Sequence, residues 1–298
     1  IYRVQEREGK GCRASIHLHL AFLEFFLLFR RTFINDEKTL AIVREFDDAE
    51  GDMPPRAAAY RDFFAKAGFK DYYEVLRVIW NQVCANLRNW GDTESIVSGS
   101  LRVMVDVTGG FETSKLLLSL NEVQFVLLHH TENEFPFLSN PALSHYCTLY
   151  FEALTALTLL EDIPGCLEVL SRPVTERLQR LATVQQFTDA DFGEIITVFR
   201  EARGIVSECS TKRQFEVFFD LLFPSAFNVM RQALHQRPND TEVVSAVLKF
   251  LNSLTLNKES RIDYCNDRGM GVTLFRETSK VLLEYGNILL ASFPSFVN

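Results

Sequence analysis

The sequence predicts an all-α protein, an α-solenoid of HEAT-like antiparallel helix pairs, and three observations carry the prediction. Four stretches read as copies of one helix. The copies recur at nearly constant spacing, which marks a repeat array rather than one globular core. No segment shows the sustained apolar–polar alternation, bounded by hairpin turns, that a strand requires.

Each copy places apolar residues at i, i+3 and i+6 and then closes on a Thr or Val. The sets are Leu101, Met104, Val107 and Thr108; Phe151, Leu154, Leu157 and Thr158; Phe199, Ala202, Ile205 and Val206; and Leu248, Leu251, Leu254 and Thr255. The closing positions lie 50, 48 and 49 residues apart. That is longer than the roughly 40–47 residues of a HEAT or armadillo unit, and the surplus is assigned to Pro-bearing connectors such as Phe135 to Pro141. The closing Thr is read as a packing or backbone-bonding residue at a helix end. A single array over 1–298 is expected, with approximate units at 69–109, 111–161, 163–209, 211–256 and 258–290. The chain opens on Ile1, Tyr2 and Arg3 without a signal-peptide layout and is read as a piece of a longer array.

Taken in order, Ala14 to Phe33 is an apolar helix ending in Arg30 and Arg31, cations that suit the negative end of a helix. Glu45 to Pro55 is acidic and runs into a Pro pair, so a loop is expected there. A short helix follows from Ala57 to Lys66, with Gly68 as its stop. The next runs from Asp71 to Asn89 with an apolar stripe of Leu76, Ile79, Val83 and Leu87. Asp92 or Thr93 is expected to cap the first repeat helix, which ends at Gly109 and Gly110.

Helices are expected at Glu112 to Ser119, Glu122 to His130 and, after Pro136 and Pro141, Ser144 to Glu161. Pro164 and Pro173 limit the next segment, and Thr188 to Asp191 starts the helix that ends near Cys209. Beyond Pro224 and Pro238 come two more helices, the second from Asp240 to Leu256. Residues 258 to 271 form a connector with Gly269 and Gly271, and Val272 to Leu290 is the last helix.

Composition narrows the function classes. With 47% hydrophobic and 23% charged residues the chain is a folded protein, and its 26 Phe are read as rigid core filler. A net charge of −8 argues against sequence-independent nucleic-acid binding, which needs an excess of Lys and Arg, and favours a basic partner. Cys12, Cys84, Cys147, Cys166, Cys209 and Cys265 are scattered, which fits a reducing compartment better than disulfides or zinc. The longest apolar run, Leu18 to Phe29, is broken by His19 and Glu24 and falls short of the ~20 residues that a membrane span needs.

No set of residues reads as catalytic, so no enzyme activity, cofactor or metal is expected. Gly269 and Gly271 lack the preceding strand and the third Gly of a dinucleotide loop. His129 and His130 point about 100° apart on a helix and are read as hydrogen-bonded or exposed rather than as metal ligands. Asp189, Asp191 and Glu194 supply negative charge to a helix N-terminus. Cys84 and Cys209 are read as small hydrophobes and Trp90 as packing over a turn. The densest acid, Glu45, Asp47, Asp48, Glu50 and Asp52, is either a solvated charged loop or a contact for a basic partner.

Three blocks carry a family resemblance. They are Asn86 to Gly91, including Trp90, before a helix; Val123 and Phe125 with His130, Thr131 and Phe135; and Leu274 to Lys280. In order and spacing they resemble the exportin-7 and Ran-binding protein 17 group of importin-β-like nuclear transport receptors, and exportin-4 is the nearest rival. The likeness extends from about Ile16 to Leu290, with support at Arg203 to Ile205 and Leu222 to Pro224.

The resemblance implies a curved stack of paired helices that binds protein cargo, Ran-GTP and nucleoporins and shuttles between nucleus and cytoplasm. It places much of the Ran contact in amino-terminal repeats with no counterpart in this sequence, and the Glu45 to Asp52 loop departs from the family pattern. The alternative is a general helical-repeat scaffold for protein interactions that Ran does not control.

Overall fold

The computed structural model describes residues 13–33, 55–66, 68–161, 163–264 and 269–292, and among these every regular element is a helix. The first half holds α1 (Arg13–Phe33), α2 (Pro55–Lys66), α3 (Tyr72–Asn89), α4 (Glu94–Thr108), α5 (Phe111–Leu118), α6 (Asn121–Leu128) and α7 (Cys147–Leu159). The second half holds α8 (Cys166–Leu181), α9 (Asp189–Glu208), α10 (Lys212–Leu222), α11 (Ser225–Gln236), α12 (Thr241–Thr255) and α13 (Met270–Ser292). The all-α expectation is met. The chain divides into two compact units, Ile1–Leu160 and Glu161–Asn298.

In the first unit α4 is the hub, packing against α1, α3, α5 and α7. Its close fit to α1 depends on Gly99, where an added Cβ would stand 2.9 Å from Leu23 Cδ1. Arg30 and Arg31 of α1 reach Asp106 on α4, at 2.7 and 3.5 Å, and so tie two helices together besides facing their own helix end. The expected stop after α2 is present, because Gly68 adopts φ +84°, which suits a residue without a side chain. Pro55, expected in a loop, is instead the first residue of α2, where its missing N–H costs nothing.

A chain of polar side chains joins α1, α3 and α4 inside this unit. Gln82 Nε2 lies 3.4 Å from His19 Nδ1 and donates to Asn86 Oδ1 at 2.8 Å, and Asn86 Nδ2 donates to Ser100 Oγ at 3.2 Å. All four residues are buried. Burial of such groups is tolerable because they satisfy one another.

In the second unit α9 packs on α12, α8 packs on α9, α10 and α11, and α13 packs on α11. The repeat copies are therefore neighbours within each unit, α4 on α7 and α9 on α12, with their i, i+3 and i+6 residues buried except for Leu248, which is half-buried. Their closing threonines are backbone-bonding residues. Thr108 Oγ donates to Val105 O at 3.2 Å, Thr158 to Leu154 O at 2.8 Å and Thr255 to Leu251 O at 3.0 Å. Val206, which closes the third copy, is fully buried.

Helix starts follow local capping chemistry. Asp71 accepts from Glu74 N at 2.8 Å, and Asp240 accepts from Glu242 N and Val243 N. Thr188 and Asp191 form a reciprocal capping box, as do Thr211 and Gln214 at the start of α10. Thr93 sits at the start of α4 but makes no side-chain cap bond, contrary to the expected role.

Four further boundaries differ from expectation. Pro173 lies inside α8, where it has no N–H to donate to the Val169 carbonyl, and Val169 sits on the exposed side of the helix. Ser144 belongs to a 3-10 turn and α7 begins only at Cys147. α6 stops at Leu128, where the His129 N–H turns back to Phe125 O and Val126 O. Gly271 sits in the first turn of α13 rather than in the connector.

The connector between α8 and α9 is fastened from α11. Gln232 Nε2 donates to Val184 O at 2.5 Å and Gln185 O at 2.7 Å, and Gln236 Nε2 donates to Gln185 O at 2.9 Å. The Gln236 carbonyl oxygen accepts from Phe187 N at 2.9 Å.

Candidate partner-binding surface

The expected contact residues Glu45, Asp47, Asp48, Glu50 and Asp52 lie outside the described residues, as do Cys12 and Cys265. Within the first unit a cavity of about 480 Å³ opens between α3 and α6. Asn81, Cys84 and Arg88 line it from α3, Asn121, Glu122 and Phe125 from α6, and Glu134 from the segment beyond.

Its charges are paired internally. Arg77 Nε donates to Glu122 at 2.7 Å, and Arg88 pairs with Glu134. Burial pushes the Glu122 carboxyl up, but bonds from its own backbone N–H, Arg77 and Asn81 outweigh it and hold the group below the usual carboxylate range. The Arg88 guanidinium lies 5.6 Å from the Phe125 ring centre and 5.4 Å from that of Phe135, within cation–π range. Burial pushes the Cys84 thiol up to about 12, so no thiolate is present near neutral pH. A mixed-charge wall with an inert thiol suits contact rather than bond making.

The other singled-out residues have structural partners. His129 Nδ1 and His130 Nδ1 lie 2.9 Å from the carbonyls of Phe125 and Leu127, and the His129 ring stacks on Phe125. Trp90 packs against the His19 ring at 5.3 Å. Asp189 pairs with Arg237, and Asp191 and Glu194 pair with Arg180, so these acids serve the α9 N-terminus and its neighbours. Burial also raises the Cys209 thiol to about 12.

Apolar side chains do reach the surface, and this qualifies the reading of Phe as filler. Phe25 and Leu28 on α1 and Phe125 and Leu128 on α6 are exposed. On α13, Phe275, Leu282, Leu283 and Leu290 are exposed and fall on one face at 100° per residue. The opposite face buries Leu274 and Val281. Among the described residues no helix is long and apolar enough to cross a membrane, and no three His, Cys, Asp or Glu are placed to hold a metal ion.

Sequence reasoning did not single out Arg77, Arg88 or Glu134. No spacing rule links residues 45 apart, such as Arg77 and Glu122, and only the fold brings them together.

Comparison with known proteins gives one consistent result. The profile of the family described as "Exportin-7-like, TPR domain" matches residues 2–146. Exportin-7-B of Xenopus laevis is 29% identical over 287 residues, covering 92% of this chain and 25% of the relative. Ran-binding protein 17 of Homo sapiens is 26% identical over the same length and shares, and Exportin-7 of Dictyostelium discoideum is 24% identical over 281 residues, or 93% and 26%. The chain thus spans about a quarter of the length of these relatives. No solved structure matches it.

Proposed function

We propose that the chain belongs to the exportin-7 group of nuclear transport receptors, a family of carriers rather than enzymes, and that it is a segment of an export receptor. In this reading it contributes helical repeats that bind protein cargo for Ran-GTP-dependent passage through the nuclear pore, meets nucleoporins on the way, and shuttles between nucleus and cytoplasm. The supporting observation is the alignment, which runs over 92% of the chain against relatives named as exportins and Ran-binding proteins. The five expected units from 69 to 290 form part of one array in this reading.

Protein export needs a broad surface and no bond making. Pre-paired charges such as Arg88 with Glu134, beside exposed Phe125 and Leu128, fit that need. Glu45, Asp47, Asp48, Glu50 and Asp52 then offer a basic cargo a salt-sensitive contact, in keeping with the net charge of −8.

A pull-down of the receptor with Ran in its GTP and GDP states tests the reading. Cargo and Ran-GTP should reinforce each other's binding, because ligands that favour one shape are reciprocally coupled. Equal capture in both nucleotide states favours the Ran-independent scaffold. Neutralising the five carboxylates should weaken cargo capture at low salt, and unchanged capture removes them from the contact.

A further inference from the structure

The turn after α12 combines strain with a buried charge. Lys258–Ser260 form a short 3-10 turn in which Glu259 and Ser260 have φ of 52° and 59°. Two successive non-Gly residues in the left-handed region persist only where their surroundings hold them. The next residue, Arg261, is 2% exposed. Its Nη1 donates to Val206 O at 2.7 Å and Cys209 O at 2.5 Å, and its Nη2 donates to Ser253 O at 2.8 Å. The guanidinium carbon stands 4.5 Å from the Phe215 ring centre.

No carboxylate pairs with this arginine among the described residues. Its charge rests on the carbonyl ends of two helices, α9 through Val206 and the cap residue Cys209, and α12 through Ser253, where the helix dipoles favour a cation. Asn257 closes the turn from outside: its Oδ1 accepts from Ile262 N at 2.8 Å and its Nδ2 donates to Ile262 O at 3.3 Å.

We propose that the Asn257–Ile262 turn is a latch, with Arg261 as its bolt, that locks the C-terminal ends of α9 and α12 together so that the two repeat helices open and move as one body. The shut state is strained and buries the arginine. In the open state the arginine is in water and Glu259 and Ser260 relax out of the left-handed region. Bending of this unit under load falls on other helix pairs. This inference goes beyond the export reading and holds whether or not Ran controls the protein.

Hydrogen exchange followed by mass spectrometry on the whole chain tests it. Arg261→Lys and Arg261→Met should both speed exchange about tenfold or more in the last turns of α9 and α12 together, because a single ammonium nitrogen cannot stand at both the Nη1 position, which serves α9, and the Nη2 position, which serves α12, and should leave α11 unchanged. Ser260→Gly should slow exchange at both helix ends about threefold in the otherwise intact protein by relieving the left-handed strain, and should do nothing beside Arg261→Lys. Uniform acceleration across α8 to α13, acceleration of α12 alone, or the same Ser260→Gly effect in both backgrounds overturns the latch. If Arg261→Met does not fold, the Arg261→Lys pair of measurements decides.

Discussion

The two units bury polarity in different ways. The first threads α1, α3 and α4 on the hydrogen-bonded chain His19, Gln82, Asn86 and Ser100. The second buries charge: Glu201, 3% exposed, pairs with Arg177 across α8 and α9, and Arg261 rests on helix-end carbonyls. Amide and hydroxyl groups lose less solvation on burial than a charge does, and removing one has a moderate cost. A charge whose partner is removed has lost its water and gained nothing, so the second unit is the more sensitive to single changes.

That contrast can be broken by substitution. Glu201→Leu takes the buried carboxylate from Arg177, whose Nε still donates to the Pro173 carbonyl, and should lower the stability of the second unit by about 3 kcal/mol, read by urea denaturation with unit-resolved hydrogen exchange. Asn86→Leu breaks the chain from Gln82 to Ser100 and should cost the first unit about 1–2 kcal/mol. Equal losses from the two changes would erase the distinction.

Thr188→Ala removes half of the α9 capping box and should cost about 1 kcal/mol. It should also change the acid response. The Thr188 hydroxyl and backbone N–H, and then Arg180, hold the Asp191 carboxyl below its ordinary range. Stability from that depressed carboxyl is present above the unfolded-state value and is lost as pH falls through the folded one. With the Thr188 hydroxyl gone and the backbone N–H retained, the two values move closer together, so the variant should lose less further stability between neutral pH and about pH 3 than the parent does. Smallest of all, Thr158→Val should shift stability by less than about 0.5 kcal/mol, since a hydroxyl bonded back to the preceding turn adds little to a helix. A larger loss would mean that the closing threonines hold the repeat together rather than mark it.

Local and periodic features were legible in the sequence. The repeat copies, the Thr188 start of α9, the Gly68 stop and the all-α class each rest on residues within a few turns of one another, where propensity and capping act directly. What depended on distant partners was not. Arg261 reads as an ordinary connector residue until α9 and α12 bring their carbonyls around it. Pro173 reads as a helix limit because local rules do not show that the packing of α8 on its neighbours carries the helix past it. The cavity between α3 and α6 joins residues such as Asn81 and Glu134 that no sequence period relates. The acidic contact residues from Glu45 to Asp52 lie outside the described residues, and that part of the surface rests on the sequence alone.

The two glutamines of α11 that hold Val184, Gln185 and Phe187 have a practical consequence. A protease must draw a cleavage site into extended form within its cleft, and here the backbone carbonyls and one N–H are already committed to Gln232 and Gln236. Limited digestion should therefore spare the stretch between α8 and α9, and a double Gln232→Ala, Gln236→Ala protein should be nicked there first.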